Sequence, residues 1–247
     1  IGLCEAACRE ADAYAASREQ FGHPINQFVA VQDLLDRMRA RTDGARSLMY
    51  ETARYVDLSA SSRPASRVAD ILTPLVKLSA SEFANRNAYD CIQVHGGSGF
   101  MKEYACERLY RDARILSIYE GTSQLQVVAA LKGVASGAYL KQIESYDVRV
   151  SEALASAPES ERQRHLEVLR KATALYKRFY EMATSEGATS ERFEHCTRAL
   201  AEVLGYIIMG YLLLLDSLRD ERFLASCRHF VREAIGQVSR HIAALEN

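Results

Sequence analysis

The sequence predicts an all-α protein: an up-and-down helical bundle with an additional C-terminal helical extension. Apolar residues recur at spacings of three and four along most of the chain, which is the pattern of amphipathic helices. No stretch alternates apolar and polar residues over the length of a strand. Only 4 prolines and 13 glycines interrupt the 247 residues, so long helices are expected.

Turn residues separate five helices in the first half of the chain. Gly22 stops the first helix, and Pro24 sets the start of the next one. Pro74 has no N–H to donate, so a kink is expected inside the third helix. Thr122 and Ser123 are good N-cap candidates for the fifth helix. The predicted helices of this half cover residues 2–18, 25–58, 65–94, 103–109 and 124–134.

The second half stays helical but carries long acidic and basic faces. Its expected features are a capping box at 156–159, a loop at 185–190 and two final helices at 191–218 and 221–245. A natural boundary falls near Gly137. We therefore expect a helical-bundle domain over 1–137 and a helical extension over 138–247.

Charge is balanced throughout, with 31 basic and 32 acidic side chains overall and 15 against 16 in residues 138–247. This balance excludes a polybasic nucleic-acid-binding protein and a highly charged disordered chain. The apolar run over 203–215 is too short to cross about 30 Å of hydrocarbon, so a buried core helix is expected and no transmembrane segment. The chain begins Ile-Gly-Leu, as if inside a helix, and we expect it to be part of a longer protein.

The cysteines and histidines do not follow metal-binding patterns. The six cysteines are scattered, which favours free thiols in a reducing compartment over a disulfide framework or a zinc site. The six histidines lack the spacing of HxxxH and HExxH sites, and His95 has no acidic partner at metal-binding spacing. We therefore expect no metal site.

Three segments differ from ordinary helix or turn sequence. REQFGHPI, residues 18–25, sets a cation and an aromatic ring at a tight turn between helices. QVHGGSGF, residues 93–100, is a glycine-rich loop whose small residues let backbone N–H groups approach a phosphate closely. RDARILSIYEGTSQ, residues 111–124, places a carboxylate just before a helix start, beside a glycine that cannot crowd a ligand.

Taken one at a time, each segment has a purely structural interpretation. Arg18 fits a solvated cation at a helix end. Gly96 and Gly97 fit a helix stop, since they form neither a dinucleotide fingerprint nor a P-loop. Glu120 fits an acid placed near the positive end of a helix dipole. Only the order and spacing of the three segments together favour a shared function.

In that order and spacing the segments resemble the C-terminal helical domain of acyl-CoA dehydrogenases. The resemblance covers about 2–134, and the last segment is its most specific part. VHGGSGFMKE, together with Phe28 followed by Gln32, is most similar to the very-long-chain type, whose members also carry a helical extension. The family's N-terminal helical domain and middle β-domain are not in this sequence, so this chain alone is not expected to turn over substrate.

The resemblance implies α,β-dehydrogenation of acyl-CoA thioesters, a step of fatty acid β-oxidation, with FAD as the cofactor. Removing the weakly acidic α-proton needs a positioned base and stabilisation of the developing enolate. By resemblance Glu120 is that base, and Tyr119 and Gly121 contact the substrate. The implied FAD contacts are Arg18, Gln20, Phe21, Gln32, Gln93, Gly96, Gly97, Thr122 and Gln124.

The family pattern adds a detail to two of the implied FAD contacts, the glycine loop and Gln32. Gln93, Gly96 and Gly97 resemble the loop that holds the ADP moiety of a neighbouring subunit's flavin. Many members have Gln after the Phe28 position, whereas Val29 stands there in this chain, and Gln32 is expected to substitute.

The resemblance also implies partners and a location. Electron-transfer flavoprotein is the expected electron acceptor, and a homo-oligomer is expected, with a dimer favoured over a tetramer. The location would be cytoplasmic in a bacterium and the mitochondrial matrix in a eukaryote. Two alternatives remain open: a repurposed or catalytically silent flavoprotein, including the family's DNA-associated branch, and a helical interaction protein in which the motifs are relics.

Overall fold

The computed structural model describes residues 1–155 and 160–246, and this part of the chain is almost entirely helical. The predicted all-α bundle with a C-terminal helical extension is confirmed. The helices are α1 (Gly2–Ser17), α2 (Val29–Ser59), α3 (Arg63–His95), α4 (Ala105–Ala113), α5 (Ser123–Ala135), α6 (Ala138–Leu154), α7 (Glu161–Ala183), α8 (Glu191–Ser217) and α9 (Leu224–Glu246).

Successive long helices pack with opposite directions, as α7 and α8 illustrate. Arg162, at the start of α7, donates to the backbone oxygen of Ser217, at the end of α8, at 2.9 Å. Further along, Leu169 of α7 packs against Gly210 of α8. The two pairs advance in opposite directions along the two helices, which is the up-and-down arrangement of a bundle.

Helix starts follow the capping residues closely. Thr122 accepts a hydrogen bond from the backbone N–H of Leu125, which confirms it as the N-cap of α5. Ser160 and Gln163 form a capping box at the start of α7. The capping box predicted at 156–159 lies outside the described residues. α3 continues through Pro74 without a break in the helix, and the kink expected there stays a prediction.

The turn after α1 contains a short β-hairpin that the sequence patterns did not predict. Strand β1 (Glu19–Gln20) pairs antiparallel with β2 (His23–Pro24). Phe21 and Gly22 connect them with φ values of 53° and 84°, the left-handed pair typical of a two-residue hairpin turn. Two residues per strand are too few to show alternation, so the sequence carries no periodic sign of this hairpin.

Several helix ends differ from the prediction by a few residues because short 3-10 turns flank the helices. Residues Ile25–Gln27 and Arg114–Ser117 are 3-10 turns. Phe28 is extended between the first of these turns and α2, so α2 begins at Val29 and not at 25. α4 lies over Ala105–Ala113, later than the expected 103–109, since Tyr104 is still extended.

The extension packs on the first half of the chain through a shared core. The main cluster of buried side chains draws on α2, α3 and α5 as well as α6 to α9. Gly44 of α2 is the point of closest approach, because a Cβ there would lie 2.5 Å from the ring of Phe230 in α9. Tyr139 of α6 donates to the carbonyl of Ile71 in α3 at 2.5 Å. The two halves therefore share one hydrophobic core.

A buried ion pair also joins the two halves. Glu51 of α2 accepts a hydrogen bond from Arg149 of α6 at 2.9 Å and two from Arg54 in its own helix. Burial alone would raise the pKa of Glu51, but these hydrogen bonds outweigh it and hold the pKa below its usual value. The carboxylate therefore stays charged between the two halves.

α8 combines length with a strongly apolar sequence. It has 27 residues, and its most apolar window has a mean hydropathy of 1.7, which is long and apolar enough to span a membrane. The expected exclusion of a span by length is therefore wrong, because the apolar run is part of a longer helix. However, 78% of that window is buried against other helices, as in the core helix of a bundle, and the absence of a transmembrane segment stays a prediction.

Candidate functional site

The first two motifs lie side by side at one end of the bundle. Tyr14, one turn before Arg18, stacks on the ring of His95 at 4.2 Å between centroids. Its hydroxyl donates to Ser98 in the glycine loop at 3.2 Å. Alanines at 7, 11 and 15 let α1 approach α3 closely beneath this contact. The β-hairpin that carries Arg18 and the glycine loop are thereby held together.

The glycine loop offers open backbone at its first two positions and a tight fit at its last. It forms the 3-10 turn Gly96–Phe100 after α3. Gly96 has a φ of 59°, and a Cβ on Gly96 or Gly97 would meet no atom within 4 Å. At Gly99 a Cβ would lie 2.7 Å from the carbonyl oxygen of Ile92, so that glycine is required by packing. The open pair is the part that a ligand can approach.

The hairpin presents its predicted ligand residues to solvent. Phe21 is 91% exposed although it is a large aromatic side chain, and its ring contacts Phe28 edge to face at 6.3 Å. Arg18, Gln20 and Gln32 are exposed as well. Side chains of this size and polarity, gathered at one end of a bundle, form a surface on which a ligand or another protein surface can be bound.

The third motif places Glu120 in an unusual backbone conformation. Glu120 and Phe21 are the two non-glycine residues with positive φ in the described part of the chain. Glu120 has a φ of 54°, and Gly121 follows with 87°. A non-glycine residue in this region costs about 1 kcal/mol or more and persists only where its surroundings impose it. Such strain is found at functional sites more often than elsewhere, which supports the choice of Glu120.

The loop around Glu120 is open to solvent. Tyr119 is 48% exposed, and Glu120, Thr122 and Gln124 are exposed as well. The side-chain amide of Gln126 donates to the carbonyl oxygen of Glu120 at 3.4 Å. Within the described residues, the Glu120 N–H has no acceptor. The residue is therefore exposed to solvent, and its backbone N–H is left without a hydrogen bond from this part of the chain.

Two residues of helix α3 that carry no sequence motif contact the Glu120 loop. Lys77 donates to the carbonyl oxygen of Leu116 at 2.5 Å and lies 5.4 Å from the centre of the Tyr119 ring. Glu82 accepts a hydrogen bond from Ser123 at 2.6 Å. No sequence motif marks these two residues, because they lie in the middle of a long helix far from the loop in sequence.

The third motif is not brought next to the other two. The glycine loop begins after His95, whereas the Glu120 loop contacts α3 at Lys77 and the following Ser123 contacts it at Glu82. These two positions lie 18 and 13 residues before His95 in one continuous helix, which corresponds to about 27 and about 20 Å at 1.5 Å per residue. Within one chain, therefore, the hairpin and glycine loop form one group of candidate residues, and the Glu120 loop forms another.

One buried cluster has the residue types of a metal site. The ligand atoms of Cys91, His95 and Cys106 lie within 4.8 Å of one another. Each side chain already has a partner: Nδ1 of His95 lies 2.8 Å from the Cys91 carbonyl oxygen, and Sγ of Cys106 lies 3.5 Å from that of Gly99. Burial raises the pKa of both thiols, so they stay protonated as long as no metal is bound. The absence of a metal remains a prediction.

The fold is thus an all-α bundle that carries a strained glutamate shortly before a helix start and an open glycine loop. The family model described as acyl-CoA dehydrogenase, C-terminal domain, matches residues 1–134, and the one described as acyl-CoA dehydrogenase C terminal matches 135–247. The chain belongs to the acyl-CoA dehydrogenase family.

Individual relatives agree with this assignment. The chain is 43% identical over 126 residues to a probable acyl-CoA dehydrogenase, YngJ, of Bacillus subtilis, covering 51% of this chain and 31% of that protein. It is 38% identical over 142 residues to the CarC subunit of the caffeyl-CoA reductase-Etf complex of Acetobacterium woodii, covering 58% and 34%. The chain thus spans about a third of the length of these relatives.

A solved structure extends the similarity of the fold to the whole chain. It is that of an acyl-CoA dehydrogenase from Bacillus anthracis complexed with FAD, which the chain matches with a TM-score of 0.72 and 23% identity. The match covers 100% of this chain and 47% of that one. The helical extension is therefore part of a fold already seen in this family.

Proposed function

We propose that the chain is the C-terminal part of a longer flavin-dependent acyl-CoA dehydrogenase in which Glu120 is the catalytic base. The observation that carries the proposal is the conformation of Glu120: a strained, exposed glutamate directly before the start of α5. The chain's membership of the acyl-CoA dehydrogenase family supports the dehydrogenation of acyl-CoA as the class of reaction. The curated relatives include one named as a dehydrogenase.

In this proposal the Glu120 carboxylate removes the α-proton of an acyl-CoA thioester. Its free backbone N–H donates a hydrogen bond to the thioester oxygen and stabilises the negative charge of the enolate. Gly121 allows the positive φ of 87° directly after the base, and in this proposal Tyr119 contacts the substrate.

The residues present fit a bound FAD. The open backbone at Gly96 and Gly97 can approach a pyrophosphate, and Arg18 supplies a cation beside it, held near by Tyr14. When bound, FAD supplies the acceptor for the hydride that leaves the β-carbon. The separation of about 20–27 Å along α3 supports assigning the glycine loop to the flavin of a neighbouring subunit.

In the same assignment, each group of residues serves one part of the cofactor. Gln20, Phe21 and Gln32 lie on the side of the adenosine half together with Gln93, and Thr122 and Gln124 contact the flavin half beside Glu120. A homo-oligomer, with a dimer favoured, follows from a site shared between subunits. The named Etf complex of one relative supports electron-transfer flavoprotein as a partner, and in the direction of dehydrogenation this partner would accept the electrons. We place the protein in the bacterial cytoplasm or the mitochondrial matrix.

The test is the colour of the full-length protein and its response to substrate. The account predicts a yellow protein whose flavin absorbance is bleached when acyl-CoA is added without oxygen. A colourless protein with no affinity for added FAD would favour a helical interaction protein in which the motifs are relics. A yellow protein that no acyl-CoA of any chain length bleaches would favour a repurposed flavoprotein.

A further inference from the structure

We propose that Lys77 and Glu82 of α3 are positioning residues for Glu120, and that the helical extension acts on the catalytic loop through Glu82. This proposal rests on the proposed function, because it concerns the placement of the same base. Glu120 lies in the segment between the end of α4 and the start of α5. The two α3 residues contact that segment on either side of Glu120.

Lys77 holds the side of the loop that precedes Glu120. Its ammonium group donates to the carbonyl oxygen of Leu116 at 2.5 Å. The same group lies 5.4 Å from the centre of the Tyr119 ring, within the range of a cation–π contact. One lysine thus contacts both the 3-10 turn Arg114–Ser117 and the residue next to the base.

Glu82 holds the side of the loop that follows Glu120. Its carboxylate accepts a hydrogen bond of 2.6 Å from the hydroxyl of Ser123, the first residue of α5. The same carboxylate oxygen pairs with Arg198 of α8 at 3.1 Å. Since α8 belongs to the extension, this chain of contacts connects the extension to the residue that lies three positions after the base.

The backbone of Glu120 needs such support. A glutamate with a φ of 54° relaxes toward negative φ unless its neighbours are fixed on both sides. A base misplaced by about 1 Å can lose about 100-fold in rate, although substrate binding is unchanged. Lys77 and Glu82 fix the flanking residues without reaching the substrate, so their effect is expected in the chemical step and not in affinity.

The Lys77 arm of the test uses the full-length protein loaded with FAD. We expect Lys77→Met to lower the rate constant of flavin reduction by acyl-CoA about 10- to 100-fold, with FAD content and the substrate dissociation constant unchanged. Lys77→Arg keeps the cation and the donor, so it should restore most of the rate. The matched control is Lys132→Met, which removes an exposed lysine of α5; it should leave the rate as it is.

The Glu82 arm separates the contact with the loop from the ion pair with the extension. Ser123→Ala removes only the hydroxyl, and Glu82→Met removes the carboxylate that accepts from Ser123 and pairs with Arg198. Both should slow flavin reduction, and the double variant should be no slower than Glu82→Met alone, because Glu82→Met already removes the acceptor of the Ser123 hydroxyl. Glu202→Gln is the control. It removes the charge of the other acidic partner of Arg198, at 2.8 Å, but leaves the contact between Glu82 and Ser123 intact, so it should not slow the reaction.

The outcomes separate this proposal from the function on which it rests. If the wild-type protein is not bleached by acyl-CoA, the proposed function is wrong. If the wild type is bleached and both Lys77→Met and Ser123→Ala, with full FAD content, reduce flavin at its rate, the positioning proposal is wrong. A variant that lowers FAD content and thermal stability but has a normal rate per bound flavin shows a merely structural role, and it also contradicts the proposal.

Discussion

Replacing Gly44 with alanine tests whether the extension and the first half of the chain share one core. Gly44 lies in α2, where α9 comes closest. A Cβ at this position would lie 2.5 Å from Cζ and 2.6 Å from Cε2 of Phe230, and 3.3 Å from the sulfur of Met209. Real Cβ atoms do not approach a ring this closely, so either the ring or the whole of α9 must move.

Two effects of opposite sign determine the size of the change. Alanine in place of glycine inside a helix raises stability by about 1 kcal/mol through helix propensity. Overpacking a core costs about 1–3 kcal/mol, and the upper half of that range applies because Phe230 is fully buried and its ring has no free space beside it. Phe230 also packs at 6.0 Å from the ring of Phe83 and 5.6 Å from that of Tyr206. We therefore expect Gly44→Ala to lower the free energy of unfolding by about 1–2 kcal/mol.

Urea-induced unfolding, followed by far-ultraviolet circular dichroism, measures this change. Gly236→Ala is the matched control, because Gly236 lies in α9 and a Cβ there would meet no atom within 4 Å. That variant should be more stable than the wild type by about 0.5–1 kcal/mol. In a Phe230→Leu background the penalty of Gly44→Ala should disappear, since the two side chains compete for the same space.

The result that refutes the shared core is a Gly44→Ala variant as stable as Gly236→Ala. Such a result would mean that α9 does not lie on α2 in solution. The extension would then be an independent module, and its contact with Glu82 through Arg198 would lose its basis as well.

Three further outcomes follow from the account. Arg18→Ala should weaken FAD retention by about 1.5–3 kcal/mol, the range for a charge-assisted contact with a phosphate, as measured by the flavin content after dialysis of the full-length protein; an unchanged content would argue against the hairpin as a phosphate site. Burial lowers the pKa of His165, so the unfolded state gains the proton first and the free energy of unfolding should fall as the pH is lowered through about 6.5, the unfolded value. His165→Gln should flatten that fall in urea titrations at several pH values, and an equally steep fall in the variant would contradict the assignment. Deleting residues 138–247 should expose the shared core and cause aggregation or a changed assembly in size-exclusion chromatography; a soluble, equally stable protein in the same assembly would contradict this expectation.

Most helices of the fold could be predicted from local patterns in the sequence. The 3.6-residue periodicity and the N-cap at Thr122 predicted where the helices lie, and the start of α5 was correct to one residue. The hairpin at 19–24 could not be predicted in this way, because strands of two residues have no period. The length of the apolar run at 203–215 was also a poor guide to a membrane span, because this run is only part of the longer helix α8.

The candidate site was only partly readable from the sequence. The glutamate before a glycine and an N-cap marked Glu120, but no sequence pattern predicted its positive φ of 54°. Lys77 and Glu82 carry no motif and become visible only when α3 and the loop pack together. In the same way, the metal-like grouping of Cys91, His95 and Cys106 arises from tertiary packing of α4 against the end of α3 and not from spacing in the sequence.

The rate of flavin reduction in the Glu120→Gln variant tests the central claim most directly. The full-length variant, loaded with FAD, is mixed with acyl-CoA in the absence of oxygen, and flavin absorbance is followed over time. Glutamine keeps the shape of the side chain but cannot accept the α-proton, so the account predicts a normal flavin content and a rate lower by about 100-fold or more. Glu103→Gln, which changes another exposed glutamate of the chain, should be reduced like the wild type. Flavin bleaching at the wild-type rate in Glu120→Gln would contradict the assignment of the base.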